Sequence, residues 1–556
     1  MNNFKHNILS IGVAASALMM TACSESFLDV SSKTESNTEN FYKTEGDAWR
    51  ALIGCYDGWR LLSSTPGVGI YLIASVASDE CYGGTGQGDG RGYQALDGLD
   101  IEISPADVNL FEQDWKNYYA AVYRCNELTD HEEQINWTGE NSKRGMYMGE
   151  CRAIRALLYF DMVRIWGNIP LFLEAVNENR EQVNPDEVYA AIVDDLKYAI
   201  ANIPADANLD KSDNGRITKY ACEAMLARVY LYYTGYYGKD LANLTKQEVI
   251  DGLEEIVASG QYGLIEDFKN LWPAASLVAA GPDSWDNEKS TYAGQVNKEF
   301  MLQQKFTPSQ DYNGNNDSNR WLVMVGMRNM NFSPYGKGWG AATVTPAYYN
   351  KFAADDARLT ASIINLPLEG VTAAADPTIS SDFSTAQKDW REYTGFCIKK
   401  YAPICFPNGN NAWKEDGTAD FQTQNSQDYV LMRYADVLLM VAELGGVPSL
   451  SAQSAFDAVR NRAGLASVPV SKEAVMNERA LEFAFEGQRY WDLLRDGGVN
   501  NLADAIIASA GKVQNAGLDA NVTYDRSKIV AKNGLFQIPY TQITLSGNVL
   551  KQNPGW

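Results

Sequence analysis

The sequence predicts a fold dominated by α-helices, in which tetratricopeptide-like hairpins support a loop-rich, irregular region. Three observations predict it. Apolar residues recur three and four apart through successive stretches between residue 37 and about 240. Gly, Asn, Asp and Pro then crowd the chain from about 265 to 427, and helical periodicity fades. Helical patterning returns from about 428 to 500.

The first helical stretch is "NTENFYKTEGDAWRALIGCYDGWRLL", with acidic residues early in its run. "DVNLFEQDWKNYYAAVYRCNEL" and "GECRAIRALLYFDMVRIWG" follow; in the latter Ile154, Leu157, Leu158, Met162 and Ile165 form one apolar stripe and Gly167 ends it. "PDEVYAAIVDDLKYAIANIP" carries a proline at each end, and "TKYACEAMLARVYLYYTGYYG" completes the set. Successive amphipathic helices with Ala and Tyr at contact positions match a stacked-hairpin architecture, though the fit to a 34-residue repeat is loose. The glycine-dense loop "DECYGGTGQGDGRGYQALDGLD" lacks the Lys-Ser/Thr of a phosphate loop and predicts no helix behind it; it reads as a shaped surface loop.

Composition narrows the function. The 556 residues include 47 Lys+Arg against 70 Asp+Glu, a net charge of −23, which opposes binding to nucleic acid or anionic lipid. Two histidines, His6 and His131, leave little for a Ser-His-Asp triad or a histidine zinc site, and no CxxC offers a thiolate one. His131 sits in polar "NELTDHEEQINW" and reads as solvated. Carboxylate chemistry such as glycoside hydrolysis stays open on composition.

"MNNFKHNILSIGVAASALMMTAC" has one early lysine, a short apolar run and small residues before Cys23, the layout of a secretory signal. "MTAC" resembles a bacterial lipobox, which implies cleavage after residue 22, lipidation of Cys23 and an acyl anchor in a membrane. Loss of residues 1–22 removes one lysine and no acid, so the charge becomes −24. The other seven cysteines are irregularly spaced and read as small buried thiols, with Cys397 and Cys405 the pair to test for a disulfide.

In order along the chain, "CSESFLDVSSKTESNTENFYKTEGDAWRALIGCYDGW", "GECRAIRALLYFDMVRIWGNIPLF", "RYADVLLMVAEL", "AFDAVRNRAGL", "ERALEFAFEGQRYWDLLRDG" and "LFQIPYTQITLSGNVLKQNPGW" resemble the SusD/RagB family of outer-membrane nutrient-binding lipoproteins. The second is similar to the family helix G-E-A-R-x-x-R-A-x-x-Y-F-D, with Cys151 in place of Ala. The resemblance implies one SusD-like domain over 23–556, facing outward from the outer membrane. It also implies a partner, a SusC-like TonB-dependent transporter barrel that receives oligosaccharide or, in some members, peptide. No catalysis and no cofactor are implied. The stretch 265–427 matches no motif and is where ligand choice is expected.

A sugar ring presents an apolar face and a rim of hydroxyls, so a glycan site needs exposed aromatic platforms beside polar groups. Trp285, Trp321 and Trp339 are the candidate platforms, being flanked by polar residues or glycine in the loop-rich middle. Asp79 and Tyr82 are candidates for a second wall and Arg320 for a hydroxyl donor; the alternative for all six is anchoring of loops in small satellite cores. Acidic loops such as "DGTAD" could hold a structural Ca²⁺, without EF-hand spacing. Capture of peptide and a lipid-anchored glycoside hydrolase are the alternative functions.

"NERALEFAFEGQRYWDLLRDG" (477–497) places Glu478, Glu482 and Glu486 four residues apart, one face of a helix. Its other positions are mostly apolar, so the stripe is expected to be buried and to meet cations. Glu486 is expected to pair with Arg489, and Glu478 or Glu482 with Arg433, Arg460 or Arg462. Gly487 is expected to let a neighbouring backbone approach.

Overall fold

The computed structural model describes residues 41–64, 69–138, 142–209, 214–308, 317–370 and 387–556. Cys23 and the leader lie outside the described residues. Six helices build the N-terminal scaffold: α1 (Glu45–Ser64), α2 (Glu112–Asp130), α3 (Arg144–Trp166), α4 (Pro185–Asn202), α5 (Lys219–Tyr237) and α6 (Lys246–Ser259). Each of α2 to α6 packs on a neighbour in sequence, and α3 is buried on nearly every side, well beyond the one stripe its sequence suggested. Local chemistry sets their ends. Asn184 caps α4 ahead of Pro185, and Thr245 and Glu248 close a reciprocal capping box on α6. Gly167, Gly238 and Gly260 end α3, α5 and α6 with positive φ.

Ion pairs lock the hairpins together. Arg155 on α3 holds Asp195 on α4 through two 2.8 Å bonds, with both side chains buried. His131 is not solvated as expected: its ring stacks on Tyr42 at 4.4 Å and Nδ1 lies 2.7 Å from the Glu127 carbonyl oxygen.

In the middle of the chain, short strands and single-turn helices replace the long helices. Strand β1 (Phe300–Gln304) pairs antiparallel with β4 (Tyr429–Arg433), an irregular ladder with Tyr429 opposite Gln304. Between them lie helix α7 (Arg320–Val325) and two short parallel strands, β2 (Met327–Arg328) and β3 (Lys337–Gly338). Cys397 and Cys405 are buried free thiols and form no disulfide with each other. The chain returns to helix at α8 (Tyr434–Leu444), α9 (Ala452–Arg462), α10 (Lys472–Glu482) and α11 (Arg489–Arg495).

Residues 477–497 are therefore two helices and not one. The chain turns through Phe485 (φ 63°) and Gly487 (φ 78°). A side chain at Gly487 would collide with the Tyr429 hydroxyl, so both φ and space demand glycine there. The turn swings Glu486 into the interior, where Arg433 binds it at 2.8 and 2.9 Å and Lys400 at 2.7 Å. Arg489 faces elsewhere: it forks onto Asp79 at 2.7 and 2.9 Å, in place of the expected local pair with Glu486.

Glu478 and Glu482 meet cations from three segments. Glu478 accepts from Arg358 and Arg460, each at 2.6 Å. Glu482 accepts from Arg433 at 2.9 Å, from Arg358 at 3.2 Å and from Arg462. Glu299 completes the cluster, binding Arg433 at 2.6 Å and Arg462 at 2.8 Å. The opposing cations offset the burial of Glu482 and hold its pKa well below the carboxylate range, while burial pulls the Lys400 ammonium down to about 8.

Among other buried acids, Asp97 and Glu80 have no ion pair among the described residues, and Asp428 has the single partner Lys305. Burial raises Asp97 to about 8, Glu80 to about 7 and Asp428 to about 6. Among the described residues, Asp97 has hydrogen bonds from the Tyr524 hydroxyl (2.7 Å) and Gly83 N–H (3.3 Å) alone, and one Glu80 oxygen has no partner.

Two outcomes are expected. Glu482→Gln leaves Arg433, Arg462 and Arg358 short of an anion in the interior and should cost about 3–5 kcal/mol in a urea titration. Glu178→Gln, which breaks an exposed pair with Arg180, should cost under about 1 kcal/mol. Asp97, Glu80 and Asp428 keep protons in the folded state that the unfolded chain has lost, so their contribution is present at low pH and disappears as pH rises through about 6 to 8. The melting temperature measured by circular dichroism should therefore be higher near about pH 5.5 than near about pH 8, provided the measurement stays above the range where paired acids such as Glu482 protonate.

Candidate functional site

Helix α7 sorts its first two side chains to opposite sides. The Asn319 side chain caps it by accepting from Trp321 N–H at 3.0 Å. Trp321 turns inward, fully buried against Tyr71 at 4.9 Å between ring centroids. Arg320 turns outward and lies over the half-buried Trp339 ring, 4.4 Å from its centroid. Trp339 is fixed from behind, its N–H donating to the Val323 carbonyl at 2.7 Å.

Arg320 is the electrostatic anomaly of this surface. Among the described residues it has no carboxylate partner and no hydrogen bond, in a chain with an excess of acids. Burial lowers its pKa below the usual arginine range, and its ionisable neighbours are two tyrosines, Tyr93 and Tyr71. Burial likewise pushes the Tyr93 hydroxyl up to about 12, so both phenols stay protonated donors at neutral pH. A guanidinium with open donors, resting on an indole beside a phenol, is chemically suited to hydroxyls around an apolar ring.

The glycine-rich loop forms the adjoining wall. Thr85 N–H donates to the Gly340 carbonyl at 2.7 Å and Gly84 N–H to Ala341 at 3.1 Å. Gly86 leaves room for the Arg328 guanidinium, and at Gly340 a side chain would strike Trp390. Arg328 then ties this loop to its neighbours, bonding Asp389 at 2.7 Å and Asp89 at 3.0 Å. The glycines thus serve close packing. Contrary to the surface-loop reading, residues 79–86 are buried, and a short helix, Gly92–Asp97, does open behind the run.

Strand β3 leads from Trp339 to a second feature. Lys337 lies 4.3 Å from the Phe421 ring centroid and makes no ion pair among the described residues. Both line an open cavity of about 540 Å³ with Asn331, Asn408, Asn410 and Asp420. Asn331 is braced at 2.7 Å from Lys337 N–H and at 2.9 Å from the Gly409 carbonyl. Asp416 and Asp420 are engaged in their own turns, accepting from Thr418 N–H at 2.9 Å and Gln422 N–H at 2.9 Å.

The sequence candidates therefore divide. Arg320 and Trp339 come together at an accessible surface. Trp321, Asp79 and Tyr82 are at most 2% exposed and cannot touch a ligand. Asp79 is consumed by Arg489 and Lys351, and the Tyr82 hydroxyl donates to the Ser509 carbonyl. Trp285 is half-buried and packs on Phe406 at 5.2 Å, as a loop anchor. Sequence reasoning missed Tyr93, Lys337 and Phe421. The run "CFPNGNNAWKEDGTADF" held the signal, an aromatic amid amides and acids.

Two family models match this chain. Residues 298–556 match the model described as the SusD family, and residues 96–231 match one described as starch-binding associating with outer membrane. The chain belongs to the SusD family. SusD-like protein P2 of Formosa agariphila is 24% identical over 544 residues, 93% of this chain and 94% of that one. Surface glycan-binding protein A of Bacteroides fluxus superposes with a TM-score of 0.71 at 23% identity, over 92% of this chain and all of that one. A laminarin-binding SusD-like protein superposes with a TM-score of 0.67 at 25% identity, over 93% of this chain and all of that one.

If Arg320 and Trp339 form the contact surface, Trp339→Ala should leave the melting temperature within a few degrees and remove ligand binding. Trp321→Ala should behave oppositely, costing about 3–5 kcal/mol of stability through its cavity. Paired thermal melts and titrations distinguish the two.

Proposed function

We propose that this protein captures oligo- or polysaccharide at the cell surface and delivers it to a TonB-dependent outer-membrane transporter, held at the membrane by lipid on Cys23. The observation that carries the binding role is the unpaired Arg320 guanidinium stacked on Trp339 beside Tyr93. An indole face covers the C–H side of a pyranose while guanidinium and phenol address its hydroxyls. The laminarin-binding relative with the same fold supports a glucan as the first ligand to try. The role is binding without catalysis.

Isothermal titration against laminarin, starch and other glycans is the test. Binding to at least one is expected, with Trp339→Ala and Arg320→Ala each weakening it at least about tenfold, or about 1.4 kcal/mol. Silence across the glycans together with binding of peptides would move the protein to peptide capture. Release of reducing sugar would overturn the non-catalytic role. Cys23→Ala should move the protein from the membrane to the soluble fraction, and gentle solubilisation of the native protein should co-purify a large barrel protein.

A further inference from the structure

Three scaffold helices bring Cys55 (α1), Cys125 (α2) and Cys151 (α3) together in the core, each at most 1% exposed. Their sulfur atoms all lie within 4.8 Å of one another, and those of Cys55 and Cys151 are 4.0 Å apart. None is in a disulfide. Three thiolates about 2.3 Å from a central ion form a triangle with edges of about 4.0 Å. The three sulfurs stand near the corners of such a triangle.

Packing alone would make these three small apolar fillers. The charge beside them argues for more. Arg155 is fully committed, to Asp195 at 2.8 Å and to the Asn126 side chain at 2.8 Å. Arg152, next to Cys151 on α3, has no ion pair or hydrogen bond among the described residues, and its Nε is buried. Its guanidinium lies 3.9 Å over the Tyr198 ring. A partly buried cation with no anion is costly unless a negative group forms nearby.

We propose that Cys55, Cys125 and Cys151 form a three-thiolate site for a soft monovalent ion, with copper(I) the ion it fits. Thiolate selects soft metals, and zinc would require a fourth ligand. Among the described residues no further His, Asp, Glu or Cys atom joins the cluster. On binding, three S–H bonds ionise, three protons leave to solvent and three metal–sulfur bonds form, with no change of oxidation state. The site carries a net charge of −2, and Arg152 supplies the adjacent uncommitted positive charge.

The reduced full-length protein, treated with copper(I) without oxygen and desalted against a weak chelator, tests this. About one copper per chain is expected, with X-ray absorption showing three sulfur neighbours at about 2.3 Å. Cys151→Ser and Cys125→Ala should each retain less than a tenth of that copper, and Cys222→Ser should retain all of it. Circular dichroism melts establish that each variant is folded; the sulfur count on the wild-type protein stands whether or not they fold. No retained copper, fewer than three sulfur neighbours, or full retention by a folded Cys151→Ser would overturn the proposal. So would a thiol count in denaturant that rises by two on reduction, which would mark a disulfide.

Discussion

Burying Glu478, Glu482 and Glu486 removes three anions from water, at several kcal/mol per ion unless each meets a cation. Segments far apart in sequence supply those cations: Arg358 and Lys400 from the loop-rich middle, Arg433 from β4, and Arg460 and Arg462 from α9. Glu299, at the start of the β1 region, balances Arg433 and Arg462. The cluster therefore fastens the irregular region to the helical scaffold. Its loss would leave unpaired charge in the core and separate the proposed binding surface from its support.

The proposed binding surface depends on that attachment. Arg320 and Trp339 lie between β1 and β4, and the ladder those strands form ends at Arg433, a member of the cluster. The turn that carries Glu486 to Arg433 also brings Phe485 N–H to Glu80 at 2.9 Å. Arg489 reaches Asp79 beside it, so the same segment anchors the start of the glycine-rich wall. A short stretch of sequence thereby sets both the core charge balance and the position of the site.

Charge also separates structure from function on the surface. Most interior cations here have carboxylates within hydrogen-bonding distance, as the acidic composition allows. Arg320 and Lys337 do not; each rests on an aromatic ring, at 4.4 and 4.3 Å. Leaving guanidinium and ammonium donors open beside π-faces has no structural benefit comparable to pairing them. It does preserve hydrogen-bonding capacity for a ligand.

The sequence by itself determined the helical scaffold, the loop-rich middle and the need to neutralise the glutamate stripe. These follow from periodicity and from the cost of like charges, which are local properties. It also named Trp339, from its polar and glycine flanks, and Arg320, as a hydroxyl donor, and the structure brings the two together. Only the tertiary structure decided that Trp321, next to Arg320, is buried, because its ring packs against Tyr71 from a distant part of the chain. Only it broke 477–497 at Phe485 and Gly487, because the Tyr429 hydroxyl occupies the space a continuous side-chain face would need. The partners Arg358, Lys400 and Glu299, and the convergence of Cys55, Cys125 and Cys151, were beyond sequence reading for the same reason. They are contacts between residues 26 to 163 positions apart, which no local pattern encodes.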